Sequence, residues 1–400
     1  MTDETQTGRT RRTVVWGLLD QILASVSNFI VIIIAARSLP PVSFGSFAVA
    51  FEVYYVSVFV ARGMASDPLA TAHTGGDPEE IRWAGRSGAS TTLFAASCVA
   101  VVTAAVSQFV GGTLSPILLA LAVLLPGLTL QDYLRYLLIV QGKARAMFFN
   151  DLFWLVCQLP LMWLAVTQIG GGPALLIAWG VAGTMAAILG LSQAHTSLGR
   201  PRLIRPWLAK HRKLWPYFLL DNLIFRMTNL ILVVVISMST SLVQVAGFRA
   251  AMTVYAPLTI IGRGIVGVAV PELSRRRDNP MAIRRAALLI AWFLAPTALI
   301  WAGFTLLIPE SVGKAFLGDS WTIAEPLIFL AGITTAVGLF TVGTAVGLRA
   351  LGAGRDGLTA RMVVSVLGLV CAAVGGLIDG AYGVFLVLAL SAPFQIATWW

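Results

Sequence analysis

The sequence predicts an all-α polytopic membrane protein of about twelve transmembrane helices, built as two parallel six-helix repeats around a central cavity. Three observations predict it. Of 400 residues, 58% are hydrophobic and 12% charged, with a mean hydropathy of +0.84; soluble domains run at roughly 45–50% apolar and about 25% charged. Apolar runs recur from residue 14 to the C-terminus, long enough for a hydrocarbon core of about 30 Å, which takes roughly 20 helical residues. The third observation is that the two halves of the chain match in register. This composition excludes a soluble enzyme, a nucleic-acid reader and a disulfide scaffold. Cys98, Cys157 and Cys371 all fall inside apolar runs, where they act as small hydrophobes rather than metal ligands.

Between charged or Gly/Pro-rich breaks the predicted spans are 14–36, 42–63, 87–110, 114–140, 147–168, 173–193, 216–238, 244–270, 286–308, 323–348, 359–378 and 381–400. Each is expected to be helical, because lipid offers the backbone no hydrogen bonds. The ten-residue alternating segments of a β-barrel are absent. The first run is too long for a signal-peptide core, so no cleavable signal is expected. Basic residues set the orientation. With the N-terminus inside, the inner segments hold 22 of the 28 Lys and Arg and the outer loops hold only Arg37 and Lys314. The remaining four, Arg135, Arg226, Arg249 and Arg263, lie within spans. Both termini are therefore expected in the cytoplasm of a cell bounded by this membrane. The net charge of +10 is a topology signal attracted also to anionic membrane lipids, and no nucleic-acid partner is expected.

The basic linker 194–215 separates an N-terminal bundle, 14–193, from a C-terminal bundle, 216–400, after a short cytoplasmic segment, 1–13. A shift of 201 residues superposes the starts of the halves without a gap. Leu18, Leu19 and Asp20 fall on Leu219, Leu220 and Asp221, and Asn28 falls on Asn229. Phe47 falls on Phe248, Tyr54 on Tyr255, and Arg62-Gly63 on Arg263-Gly264. Apolar composition alone does not align Asp, Asn, Tyr and Arg in one register. An even number of helices per half makes the repeats parallel, related by an axis along the membrane normal, and such halves with a site between them suit alternating access.

The segments LLDQILASVSNFIVIIIAARSLPPVSFGSFAVAF at 18–51 and PGLTLQDYLRYLLIVQGKARAMFFNDLFW at 126–154 resemble the Wzx-type polysaccharide and O-antigen flippases. That family belongs to the multidrug/oligosaccharidyl-lipid/polysaccharide (MOP) exporter superfamily, together with the MATE drug exporters. The pattern Gln131-Asp132, Arg135, Gly142-Lys143 is similar to the end of the fourth helix in actinobacterial members, and Gly354-Arg355 sits at a similar place in the second half. The likeness is strongest over 14–65 and 126–156 and vague over 280–348. It implies a MOP/MATE-like fold of two bundles around a cavity. It also implies a flippase of polysaccharide biosynthesis that carries a lipid-linked oligosaccharide across a bacterial inner membrane for the cell envelope. A polysaccharide polymerase and glycosyltransferases would be its partners.

Polar residues within spans are costly and usually face protein or water. Gln21, Ser25 and Asn28 follow i, i+4, i+7 spacing and form one stripe. The shift places Asn222, Arg226 and Asn229 on the same stripe of the seventh helix, and maps Ala48 and Glu52 onto Arg249 and Thr253. If these faces line the cavity, Arg226 and Arg249 would attract a diphosphate headgroup, whose oxygens match the guanidinium fork. Gln21, Ser25, Asn28, Asn222, Asn229 and Thr253 would bond sugar hydroxyls, with Tyr54, Tyr55 and Tyr255 as aromatic walls. Glu52 would carry a coupling H+, since burial raises a carboxyl pKa. The alternative is structural: Glu52 neutralises an arginine, and the amide stripes hold helices together.

Asp20 and Asp221 are expected either as gates or as structural acceptors. Asp132 and Arg135 read as a local i, i+3 pair. Asn150 and Asp151 read as an N-cap, and Arg62 and Arg263 as snorkelling anchors. His73, His195 and His211 are too scattered in sequence for a metal site. No nucleotide-binding loop or other cofactor motif is present, which leaves H+ or Na+ coupling, the cargo gradient or a partner as the drive. No loop gathers the acid, base or metal ligands of a membrane enzyme. A MATE-like multidrug or organic cation antiporter is the rival, disfavoured because Glu52 is opposed by two arginines.

Overall fold

A computed structural model describes residues 2–74, 76–274 and 278–400 of the chain. The arginine run 275–277 lies outside the described residues. Helices account for nearly all of them. They are α1 (Thr2–Ser38), α2 (Pro41–Ala61), α3 (Asp67–His73), α4 (Pro78–Ser107), α5 (Leu114–Val140), α6 (Ala144–Leu164), α7 (Gly172–Gln193) and α8 (Ile204–Lys210). There follow α9 (Trp215–Ser239), α10 (Leu242–Val254), α11 (Ala256–Ser274), α12 (Pro280–Thr305), α13 (Glu310–Leu317), α14 (Ser320–Leu351), α15 (Gly354–Leu390) and α16 (Ala392–Trp399).

Among the described residues ten helices are long and apolar enough to cross a membrane, and α10 with α11, bent by 53°, makes an eleventh. Twelve spans were expected, and the difference lies at 359–378 and 381–400. There Gly354–Leu390 forms a single apolar run, but it is broken at Asp379 (φ −155°, ψ 46°) and Gly380 (φ 54°, ψ −135°), which are not helical. A Cβ on Gly375 would overlap the Gly383 carbonyl, although eight helical residues advance about 12 Å. The chain thus folds back at Gly380, where a positive φ is cheap only for glycine. The inner loop expected at 64–86 is also shorter than its sequence suggests. A π-helical turn, Arg62–Ser66, joins α2 directly to α3, giving an apolar run over Pro41–His73. The helix start expected at Asp77 is present, its side chain accepting from Glu79 N at 2.9 Å and Glu80 N at 3.4 Å.

The helices form two compact units. Unit 1 comprises residues 1–31 and 50–227; unit 2 comprises 32–49 and 228–400. In unit 1, α5 packs between α4 and α7 around Tyr133, Leu134, Leu137 and Leu138. The Tyr133 hydroxyl reaches the Ala84 and Gly85 carbonyls at 3.1 Å each. The first half of α9 belongs to this unit because Gly63 lets the backbone at Leu219 approach closely and Asn222 Nδ2 donates to Asp67 Oδ2 at 2.8 Å. In unit 2, α14 packs along α12, whose buried face is largely alanine: Ala287, Ala291, Ala298 and Ala302. Small residues allow close helix approach where lipid supplies no hydrophobic drive. Exposed Val101, Val123, Leu289 and Leu377 supply the apolar exterior that a bilayer requires.

Residues 41–49 join unit 2 at Gly45, where a Cβ would overlap the Leu242 carbonyl. Gly45→Ala is therefore expected to destabilise by about 1–3 kcal/mol, as overpacking does. Gly17→Ala, at a position open on all sides, is expected to be neutral or stabilising. Thermal unfolding of both variants in detergent reads the difference, and equal midpoints would refute the close approach.

Candidate functional site

Unit 1 holds a buried charge network drawn from four elements. Asp132 of α5 accepts from Arg62 Nε at 2.8 Å and Nη2 at 2.6 Å, a two-pronged pair. Arg135, one turn further along α5, donates through Nη2 to Asp20 of α1 at 2.5 Å, and its Nε lies 3.0 Å from Asp151 Oδ2 of α6. Gln131 Nε2 donates to Asp151 Oδ1 at 2.8 Å and Asn150 Oδ1 at 3.1 Å. Asn150 in turn donates to the Ala186 carbonyl at 2.8 Å and Gln193 Oε1 at 2.9 Å. Asp20, Asp132, Asp151, Gln131 and Asn150 are all buried.

The local pair of Asp132 and Arg135 is present at 4.0 Å, and each has a closer partner elsewhere. Two readings of the sequence are corrected here. Asn150 and Asp151 cap nothing: α6 starts at Ala144, so they sit inside the helix and face α5. Arg62 does not snorkel, since the π-turn directs it at Asp132. Three carboxylates meet two guanidiniums, so the cluster carries one surplus negative charge. Such a group, with its carboxylates buried and its guanidiniums partly exposed, is suited to holding and releasing one proton or a small cation.

A second cluster in unit 1 joins two residues singled out by sequence. Arg226 of α9 lies over the Tyr55 ring at 4.1 Å and the Phe59 ring at 5.0 Å, with Nη1 3.8 Å from Glu52 Oε2. Glu52 is buried and Arg226 partly buried. Aromatic faces stabilise a guanidinium electrostatically while leaving its edge donors directed elsewhere. On α1, Gln21 Nε2 donates to Ser25 Oγ at 3.3 Å, and Asn28 is half-buried. Tyr54 is buried against Trp179, ring centroids 5.0 Å apart. Asp221 is half-buried.

Unit 2 holds the remaining candidates. Arg249 is half-buried and Asn229 exposed; Thr253 is buried, its hydroxyl donating to the Arg249 carbonyl at 2.8 Å. Tyr255 is fully enclosed and its hydroxyl donates to the Ile328 carbonyl at 2.8 Å, which makes it a packing residue of this unit rather than an exposed aromatic wall. Among the described residues the buried carboxylates, Asp20, Glu52, Asp132 and Asp151, all lie in unit 1. No group of three or more His, Cys, Asp or Glu suited to a metal ion occurs among the described residues.

The histidines are less scattered than their numbers suggest. Buried His73 and His211 meet through their Nε2 atoms at 3.1 Å, and His211 Nδ1 lies 3.0 Å from the Trp207 carbonyl. A carbonyl only accepts, so Nδ1 of His211 carries the proton, its Nε2 accepts, and His73 donates. Burial holds the His211 pKa below its ordinary 6.5, partly offset by the hydrogen bond to Trp207; the Lys210 charge lowers it further and Glu80 raises it. A depressed histidine pKa gives stability that is present above about pH 6.5 and lost as pH falls through the folded value. Amide protection factors across α8, exchange rates corrected for their intrinsic pH dependence, are accordingly expected to be lower at pH 5.5 than at pH 7.5, with the difference reduced in His211→Gln. A profile flat in pH would refute the assignment.

No protein-family model matches the sequence, and no curated protein matches it. Solved structures do. The chain is similar to lipid II flippase MurJ in an inward closed conformation, at 12% identity and a TM-score of 0.71, over 94% of this chain and 86% of that one. It is similar to a multidrug resistance MATE family transporter of the MOP superfamily in its inward-facing form, at 14% identity and a TM-score of 0.66, over 96% of this chain and 98% of that one. The outward-facing form of such a transporter gives 14% identity and a TM-score of 0.65, over 97% and 93% of the two chains. At these identities what is shared is the architecture: the chain has the polytopic helical fold common to the MurJ flippase and the MATE transporters of the MOP superfamily.

Proposed function

We propose that the protein is an alternating-access flippase that moves a polyprenyl-diphosphate-linked oligosaccharide from the cytoplasmic to the outer leaflet of a bacterial inner membrane. The observation that carries this reading is Arg226, a guanidinium held on the Tyr55 and Phe59 rings within a membrane span. A cation is kept there at a desolvation cost that an anionic cargo would offset. Arg249 of unit 2, which the repeat matches to Ala48, is a further guanidinium within a predicted span. The fold shared with a lipid II flippase supports the substrate class, a lipid-linked saccharide too polar to cross hydrocarbon unaided. Gln21, Ser25, Asn28, Asn222, Asn229 and Thr253 would meet the sugar. With both termini cytoplasmic, the cargo would come from glycosyltransferases and pass to a polymerase.

Coupling rests on the surplus carboxylate of the Asp20–Arg135–Asp151–Asp132 network, which would take up H+ or Na+ as the protein alternates. Glu52 would act as the charge partner of Arg226, 3.8 Å away, and Asp20 and Asp221, which the repeat matches to each other, as gates.

A MATE-like organic cation antiporter is the second reading, favoured by the buried carboxylates of unit 1 and by the MATE likeness. Reconstituted wild-type protein separates the two. Protein-dependent translocation of a fluorescent lipid-linked oligosaccharide is the expected result. Its absence, together with efflux of organic cations that Glu52→Gln abolishes, would give the antiporter reading instead.

A further inference from the structure

Away from both clusters, unit 1 contains a cavity of about 600 Å³ between the first turns of α4 and the segment 197–203 that precedes α8. Four arginines line it, Arg82 and Arg86 from α4 and Arg200 and Arg202 from the linker, beside the Trp83 ring and one carboxylate, Glu79. Glu79 lies 3.4 Å from Arg82, which leaves three guanidinium charges uncompensated, one on α4 and two on the linker. Those of Arg86, Arg200 and Arg202 make no ion pair or side-chain hydrogen bond among the described residues.

The two walls are fixed to each other. Gly199 lies so close to α4 that a Cβ there would overlap Ser90 Oγ and the Arg86 carbonyl. Eight residues later the buried Trp207 donates through Nε1 to the Met64 carbonyl at 2.9 Å. The linker arginines are therefore unable to drift away from those of α4. Like charges gathered this way repel unless an anion sits among them. The planar donor fork of arginine matches phosphate oxygens in pairs. Leu198, Leu203 and the Trp83 ring add apolar wall of the kind that suits a phosphate attached to a glycerol or other organic body. Basic pockets at the ends of membrane helices take anionic lipid headgroups on the same chemistry.

We propose that this cavity is a binding site for a phosphate-bearing anion, supplied either by the headgroup of an anionic membrane phospholipid or by a soluble phosphate compound. Its occupant bridges the linker to α4. The site shares no residue with the Arg226 cluster, so it stands or falls separately from the transport reading.

The test uses the full-length protein in detergent, titrated with phosphatidylglycerol, phosphatidylcholine, inorganic phosphate or ATP. Bound lipid is counted by native mass spectrometry and occupancy is followed by the unfolding temperature. Arg86→Gln/Arg200→Gln is compared with Arg284→Gln/Arg285→Gln, which removes the same charge from equally exposed positions on α12, away from the cavity. Without added ligand both variants are expected to melt with the wild type. With phosphatidylglycerol the cavity variant is expected to bind at least tenfold more weakly than wild type, and the α12 variant within twofold. Saturation by phosphatidylglycerol that phosphate and ATP fail to displace identifies the lipid as the source; displacement by either identifies a soluble anion. Equal losses in the two variants, or no binding by any of the four probes, would overturn the site.

Discussion

Arg135→Gln is expected to destabilise the protein by about 3–5 kcal/mol, the range for removing one member of a buried ion pair. Arg135 bridges Asp20 at 2.5 Å and Asp151 at 3.0 Å, and no other guanidinium reaches either carboxylate among the pairs the structure describes. Without it the cluster would hold three carboxylates against Arg62 alone. The loss comes less from forgone attraction than from acids left buried without a cation. Arg135→Gln/Asp151→Asn is therefore expected to recover part of the stability that Arg135→Gln loses. Thermal unfolding in detergent checks both. A single variant that melts with the wild type, or a double variant less stable than the single, would show that the network is not what holds α1, α5 and α6 together.

The second large effect concerns cargo. A hydrogen bond to a charged group is worth about 1.5–3 kcal/mol, and every 1.4 kcal/mol is about tenfold. Arg226→Ala is expected to lower translocation by about 10–100-fold. Arg226→Lys should recover only part, because an ammonium keeps the charge but neither the two-pronged geometry nor the planar stacking on Tyr55 at 4.1 Å. Arg249→Ala is expected to act in the same direction. Glu52→Gln removes the carboxylate charge 3.8 Å from Arg226, and so should strengthen retention of an anionic cargo rather than abolish it.

The membrane architecture was legible because bilayer thickness imposes a length on every apolar run, and the helices begin and end within a few residues of most of the expected spans. The hairpin at Gly380 lay at the break expected between the last two spans. The helical run that continues α2 into α3 did not show, because a π-turn has no composition of its own. Pairing on one helix face was legible too, since α-helical spacing is local; Gln21 and Ser25 are hydrogen-bonded as their i, i+4 spacing implies. Pairing between helices was not. Asp20 and Arg135 are 115 positions apart and Arg62 and Asp132 are 70 apart, and no spacing rule links them. A usable signal was nevertheless present: charged residues of both signs within spans rarely stand alone in lipid. Seeking cross-helix partners for Asp132 and Arg135 before settling on each other would have pointed to Asp20 and Asp151. His73 and His211 escaped for the same reason.

In the proposed function, intramembrane guanidiniums receive a diphosphate headgroup. The most direct test measures transbilayer movement of a fluorescent polyprenyl-diphosphate-linked oligosaccharide in proteoliposomes, for wild type and for Arg226→Ala/Arg249→Ala matched in amount and in unfolding temperature. Rapid protein-dependent movement with wild type, and none above empty liposomes with the double variant, is the predicted result. Equal movement with both proteins would contradict it.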